Sequence, residues 1–164
     1  MFEKKSPLVG LVMGSDSDLP LVREAAETLD NLGVSWEMTI ASAHRSPRLA
    51  QAYAQQARDR GIKVLVAAAG YAAHLAGVLA AETILPVIGL PLASSPLSGL
   101  DSLLSTVMMP AGVPVATVTL DGAKNAAVLA AQILALSDAP LAQRLLDYKN
   151  SLAEKVAEKA ASLR

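Results

Sequence analysis

The sequence predicts a three-layer α/β sandwich around a parallel five-stranded sheet, and three observations carry that reading. Five apolar runs, each too short for a helix, recur along the chain. Segments with helical periodicity, most of about ten to fifteen residues, separate them, and the first three runs end at small polar corners. Strands joined through helices run parallel, and the helices then cover both faces of the sheet.

The first run, Leu8 to Met13, stops at Gly14, followed by Ser15, Asp16, Ser17 and Asp18. Ser17 or Asp18 is placed to cap a helix opening with Leu19 and Pro20, since proline fits a first turn whose amide hydrogens lack partners. From Leu21 to Leu32 one face is apolar, while Arg23, Glu24, Glu27 and Asp30 lie on the wetter side, and Gly33 marks the stop. Val34 to Ile40 alternates as a strand, with the single tryptophan, Trp36, placing it near a sheet edge. The second corner runs from Ser42 to Pro47, with Ser46 as N-cap and Pro47 as first helical residue. Arg48 to Arg60 follows as an amphipathic helix, Gly61 ends it, and Ile62 to Ala68 is the third strand.

The third corner, Ala69 to Gly77, is built of small residues that let backbone approach a ligand closely, and it enters a short helix ending near Glu82. Pro86 to Leu90 reads as the fourth strand and Pro91 to Gly99 as a loop. Ser98 and Asp101 open a short helix through Val107, and Val113 to Leu120 is the fifth strand. Gly122 to Leu136 is an Ala-rich helix packed on the sheet. Asp138 then caps a last helix that runs to the C-terminus. In it Leu141, Leu145, Tyr148, Leu152 and Val156 repeat at spacings of three and four beyond the last strand. Packing on its own domain and covering a neighbouring subunit are both open to that face.

A chain of 164 residues fits one domain, with no boundary visible. Hydrophobic residues make up 52% but aromatics only 3%, so Ala, Val, Leu and Ile fill the interior and stacking platforms for bases or flavins are scarce. A formal charge of -1 offers no electrostatic footprint for nucleic acid or an anionic membrane, which leaves a small ligand as the expected partner. Without cysteine there is no disulfide, thiolate nucleophile or Cys-based zinc site, and two histidines are too few to suggest a metal cluster. The start, MFEKKSP, lacks the apolar segment and cleavage site of a secretory signal, so a cytoplasmic location is expected. Val64 to Ala81 is uncharged for eighteen residues, the length of a membrane span. Gly70, His74 and Gly77 interrupt it and three prolines follow closely, so a buried strand leading into a buried helix accounts for it better.

In open parallel sheets ligands bind beyond the strand C-termini, so the three corners are expected along one rim, the first and third adjacent if the first strand is central. Loop amides and a helix N-terminus at the first corner suit phosphate or carboxylate, although Ser and Asp equally serve as caps and turn formers. One Asp there could accept ribose hydroxyls. His44 and His74 are the corner side chains that titrate near neutrality when unperturbed, and each reads either as a structural hydrogen bond or as a proton-transfer group. Ser42 and Arg45 flank His44 and add a cation suited to an anionic ligand. A phosphorelay receiver would need an Asp at the end of strand three, where this chain has Ala68-Ala69-Gly70. A flavin carrier fits poorly with so few aromatics, and a non-catalytic nucleotide-binding module leaves two rim histidines unexplained.

Taken together, VMGSDSD (12–18), SAHRSP (42–47), AGYAAHLAG (69–77), LSGLDSLLS (97–105), MPAGVPVATV (109–118) and AKNAAVLAAQIL (123–134) resemble the PurE family, the N5-carboxyaminoimidazole ribonucleotide mutases of purine synthesis. The likeness runs from about Leu8 to Tyr148. It implies a flavodoxin-like three-layer α/β/α sandwich and a homo-octamer with sites assembled between subunits, the last helix (about 138–163) lying on a neighbour. The implied reaction converts N5-carboxyaminoimidazole ribonucleotide (N5-CAIR) to 4-carboxyaminoimidazole ribonucleotide (CAIR) with no metal or organic cofactor.

Carried over by motif, Ser15, Asp18 and Arg45 bind substrate beside Ser42, and His44 transfers the proton. Gly70, Ala72, Ala73 and His74 enclose the aminoimidazole and the carboxyl group in transit, while Ser98 to Ser102 approach from an adjoining chain. Tyr71 stands where the mutases usually have Gly, Ala76 where Pro is usual and Met108 where Gln is usual. The branch that carboxylates aminoimidazole ribonucleotide with free carbon dioxide has a third loop resembling AGRSNALSG. The retained AAHL at 72–75 points to the mutase, with that carboxylase or a paralogue of altered chemistry as alternatives.

Overall fold

The computed structural model describes residues 6–163. The expectation drawn from the first residues of the chain therefore lies largely outside it, as does the terminal Arg164. Five parallel strands, β1 (Val9–Met13), β2 (Trp36–Ile40), β3 (Val64–Ala69), β4 (Val87–Pro91) and β5 (Ala116–Thr117), form one sheet in the order β2-β1-β3-β4-β5. The helices are α1 (Leu19–Asn31), α2 (Pro47–Ala57), α3 (Leu75–Glu82), α4 (Leu100–Val107), α5 (Ala123–Ala135) and α6 (Ala139–Ala161). This is the flavodoxin-like strand order expected from the resemblance. From β1 the chain moves out to the edge strand β2, then crosses back to β3 on the other side of β1. The order reverses there, and a crevice opens at the strand C-termini.

The strand residues alternate between two cores. Leu11, Met13, Val66 and Leu90 face α1 and α5, whereas Val12, Leu65 and Ala67 face α2 and α3. Because Ala126, Ala127, Ala130 and Ala131 of α5 are fully buried, that helix seats closely without aromatic filling. Each fully buried Leu contributes about 1.5–3 kcal/mol. Trp36 sits on the edge strand as expected, and its Nε1 donates to Asp30 Oδ1 at 2.8 Å, tying β2 to α1. Gly33 (φ 66°) and Gly61 (φ 94°) stop α1 and α2 in the left-handed conformation that glycine adopts most easily.

Four local readings are corrected or refined. Neither Ser17 nor Asp18 caps α1 through its side chain; Ser15 instead caps a 3₁₀ turn, Asp16–Asp18, that leads into the helix. Ser46 does occupy the N-cap position of α2, with Pro47 as first helical residue, but its hydroxyl makes no capping bond; it closes the preceding turn instead, accepting from Ser42 N at 2.9 Å and donating to Ser42 O at 3.2 Å. Gly99 (φ 87°), not Ser98, occupies the position before α4. The fifth strand is shorter than Val113 to Leu120. Only Ala116 and Thr117 pair in the ladder, since Pro114 carries no amide hydrogen and the chain turns away through Asp121 toward α5.

Val64 to Ala81 divides into β3 and most of α3, and among the described residues no helix is long and apolar enough to cross a membrane. Asp138 caps α6 as expected, accepting from Leu141 N at 2.9 Å. The first half of α6 packs on its own chain through buried Leu141 and half-buried Leu145 and Tyr148, but Leu152 and every described residue after it are exposed.

Candidate active site

Three rim loops build the site, each launched from the end of a buried strand. After β1, Ser15 is extended (φ -150°) and the 3₁₀ turn folds Asp18 back, so that its Oδ2 accepts Ser15 N–H at 3.1 Å while Oδ1 accepts the Ser17 hydroxyl at 3.3 Å. Asp18 is buried, and burial raises its carboxyl above the ordinary 3.8; hydrogen bonds from Ser15 and Ser17 and the nearby Arg45 charge offset part of that rise. After β2, Ser42 Oγ accepts Arg45 N–H at 3.1 Å. The Arg45 guanidinium reaches across to donate to Gly14 O at 3.0 Å, which joins the first and second loops.

The third loop passes close to the loop that follows β4. A Cβ at Gly70 would overlap Ser94 Oγ, so any larger residue there must turn that hydroxyl aside. Two hydroxyls of α4 hold the loop from beneath: Ala73 N–H donates to Ser105 Oγ at 2.9 Å, and the buried Thr106 hydroxyl lies 3.4 Å from Ala73 O. His74 immediately precedes α3. Its Nδ1 lies 2.8 Å from His44 Nε2, with the rings edge to face and their centroids 5.0 Å apart. Such a bond needs a proton on one nitrogen and a lone pair on the other, so the two imidazoles share a proton position and hold each other's orientation.

Ser15, Asp18, Ser42, His44, Arg45, Gly70, Ala72 and His74 all line one cavity of about 520 Å³, so the structure brings together eight of the nine residues expected from sequence. Ala73 is not among the lining residues; it is buried and serves the loop through its backbone. Ser102, expected to approach a neighbouring site, is buried within its own chain and donates to Leu92 O at 2.8 Å and Gly99 O at 2.9 Å. Sequence reasoning missed Ser94, the two α4 hydroxyls and the pairing of the histidines. The position of Ser94 beyond β4, on the same rim, was a usable signal, as was the helical spacing of Ser102, Ser105 and Thr106. Among the described residues no three His, Cys, Asp or Glu side chains converge as a metal site requires. The arrangement offers an anion a guanidinium and a helix N-terminus, and it offers a heterocycle a paired imidazole, all within one crevice.

Residues 8–155 match the family model described as AIR carboxylase. The chain is 53% identical over 161 residues to the N5-carboxyaminoimidazole ribonucleotide mutase of Pyrococcus horikoshii, covering 98% of this chain and 91% of that one. With the protein of the same name in Thermotoga maritima it shares 52% over 157 residues, covering 96% and 92%. It is also 48% identical over 161 residues to the phosphoribosylaminoimidazole carboxylase of Candida glabrata, covering 98% of this chain and 28% of that longer one. Among solved structures, Treponema denticola PurE superposes with a TM-score of 0.87 at 31% identity, covering 96% of this chain and 99% of that one. Alike in sequence over nearly its whole length and alike in fold, the chain belongs to the AIR carboxylase (PurE) family.

Proposed function

We propose that this chain is an N5-carboxyaminoimidazole ribonucleotide mutase that converts N5-CAIR to CAIR in purine synthesis, working in the cytoplasm as a homo-octamer. The observation that carries the reading is the His44–His74 pair at 2.8 Å, on the same cavity wall as Arg45 and the turn that opens α1. Ser15, Asp18, Ser42 and Arg45 take the ribose phosphate end, with the N-terminal end of α1 favouring its charge. Gly70, Ala72 and His74 enclose the ring and the migrating carboxyl, and Ala73 sets the height of that loop.

His44 is the acid and base of the reaction. Protonated, it gives its proton to the carbamate nitrogen as the N–C bond breaks, which leaves carbon dioxide and the free amine. Ring carbon 4 then attacks the carbon dioxide, and neutral His44 removes the ring proton, so that His44 ends protonated and atoms and charge balance. The enclosing loop contributes by proximity: it holds a small neutral molecule against the ring long enough to react. Neither a metal nor an organic cofactor enters these steps. The octamer is supported by side chains left open to solvent on one chain: Leu100, Leu104 and Val107 on α4, and Leu152 and Val156 on the distal half of α6. In that assembly the distal half of α6 covers a neighbouring subunit.

The family description and the Candida glabrata relative's name favour a second reading, direct carboxylation with free carbon dioxide. One assay separates the two. The purified chain is given N5-CAIR, or aminoimidazole ribonucleotide with bicarbonate, and the product is identified by NMR. Rapid formation of CAIR from N5-CAIR is the expected result; formation only from the second mixture overturns the mutase in favour of the carboxylase.

A further inference from the structure

Among the described residues three without glycine's freedom adopt a left-handed backbone: Tyr71 (φ 54°), Ser98 (φ 51°) and Asp121 (φ 53°). Asp121 is of a type that tolerates it, and its Oδ1 is engaged, accepting Ala93 N–H at 2.9 Å. Tyr71 is bulky, and among the described residues no hydrogen bond to its hydroxyl compensates the strain. Tyr71 remains 57% exposed, yet it lines the rim cavity between Gly70 and Ala72, on the same third loop as His74. Aromatics are only 3% of the chain, and of the others described, Trp36 is on β2, Tyr53 on α2 and Tyr148 on α6. A strained backbone that holds an exposed ring at a cavity wall points to a role in what enters the cavity.

We infer that Tyr71 covers the cavity mouth and stacks on the heterocyclic ring of the bound ribonucleotide. The inference deepens the proposed function and rests on its substrate class. A tyrosine face offers the imidazole ring a sequestering partner, and it contributes to ring binding without touching the phosphate end.

The test measures dissociation constants of CAIR and of ribose 5-phosphate, which has no heterocycle, for the native chain, Tyr71→Phe and Tyr71→Gly. Glycine adopts φ 54° without strain, so Tyr71→Gly keeps its fold and melts no lower than the native chain. The expected result is CAIR affinity within about twofold in Tyr71→Phe and weaker by about tenfold in Tyr71→Gly, with ribose 5-phosphate unchanged in both. Equal CAIR affinity in the native chain and Tyr71→Gly overturns the inference, as does equal weakening of both ligands. A native chain that binds ribose 5-phosphate but not CAIR overturns the proposed substrate, and the stacking role with it.

Discussion

Two concavities of similar size differ in how their hydrogen bonds are used. The rim cavity encloses about 520 Å³; a groove between α1, α5 and α6 encloses about 630 Å³ and carries Lys124, Arg144 and Lys155. By volume and charge the groove looks the better anion site. Three of its polar groups, however, are committed to helix backbone, two within their own helix and one across to the end of α1. Thr28 donates to Glu24 O at 2.7 Å, Ser151 donates to Tyr148 O at 2.8 Å, and Arg144 Nε donates to Leu32 O at 2.7 Å, closing the end of α1. At the rim, the bonds from Arg45 to Gly14, between the two histidines, and from Ala73 to Ser105 join residues 30 to 32 apart, each linking two separate elements. A site is recognised by groups that different segments hold in place for something else, more than by its volume.

The largest expected effect breaks the rim at its centre. His44→Asn removes the proposed proton carrier from an exposed position, so turnover is expected to fall by about 10²–10⁴-fold while the melting temperature and product affinity hold. Steady-state kinetics beside calorimetric titration checks this, and near-normal turnover removes His44 from the mechanism. Next is Gly70→Ala, whose methyl overlaps Ser94 Oγ and so forces that hydroxyl from its place on the cavity wall. Turnover drops by about tenfold or more, and combining it with Ser94→Gly restores much of the loss, a coupling that a double-mutant cycle reads directly.

Asp18 sharpens the comparison through pH. Its folded-state pKa is raised by burial, so between 3.8 and that raised value the native state holds a proton that the unfolded chain has released. Its contribution to stability therefore declines as pH rises through this window. Asp18→Asn removes the decline, and melts at pH 4 and pH 7 are expected to show the variant gaining on the native chain at the higher pH while ribonucleotide affinity falls. A variant that loses ground as pH rises contradicts the sign.

The groove supplies the smallest effect. Arg144→Ala opens the end of α1, costing about 1 kcal/mol and lowering the melting temperature by about 2–4 °C with turnover unchanged.

The layered architecture was legible because each strand is apolar, short and followed by a periodic helix. Three corner motifs then named eight of the residues that line the cavity. What sequence hid depends on three-dimensional registration. The meeting of His44 and His74 requires β2 and β3 to flank β1, which no local pattern states. At Ser46 the N-cap position was legible but the bond was not, because the same hydroxyl can serve the helix ahead or the turn behind it, and the turn took it. The fifth strand was overlong in the reading because an apolar run does not reveal that Pro114 and an edge position leave little to pair with.

The most direct test of the account is a crystal structure of the chain with CAIR bound. The account predicts the phosphate beside Ser15 and Arg45 and the ring within about 3.5 Å of the His44 imidazole, beneath Tyr71. CAIR seated in the α1–α5–α6 groove, or His44 turned away from the ring in every subunit, would contradict it.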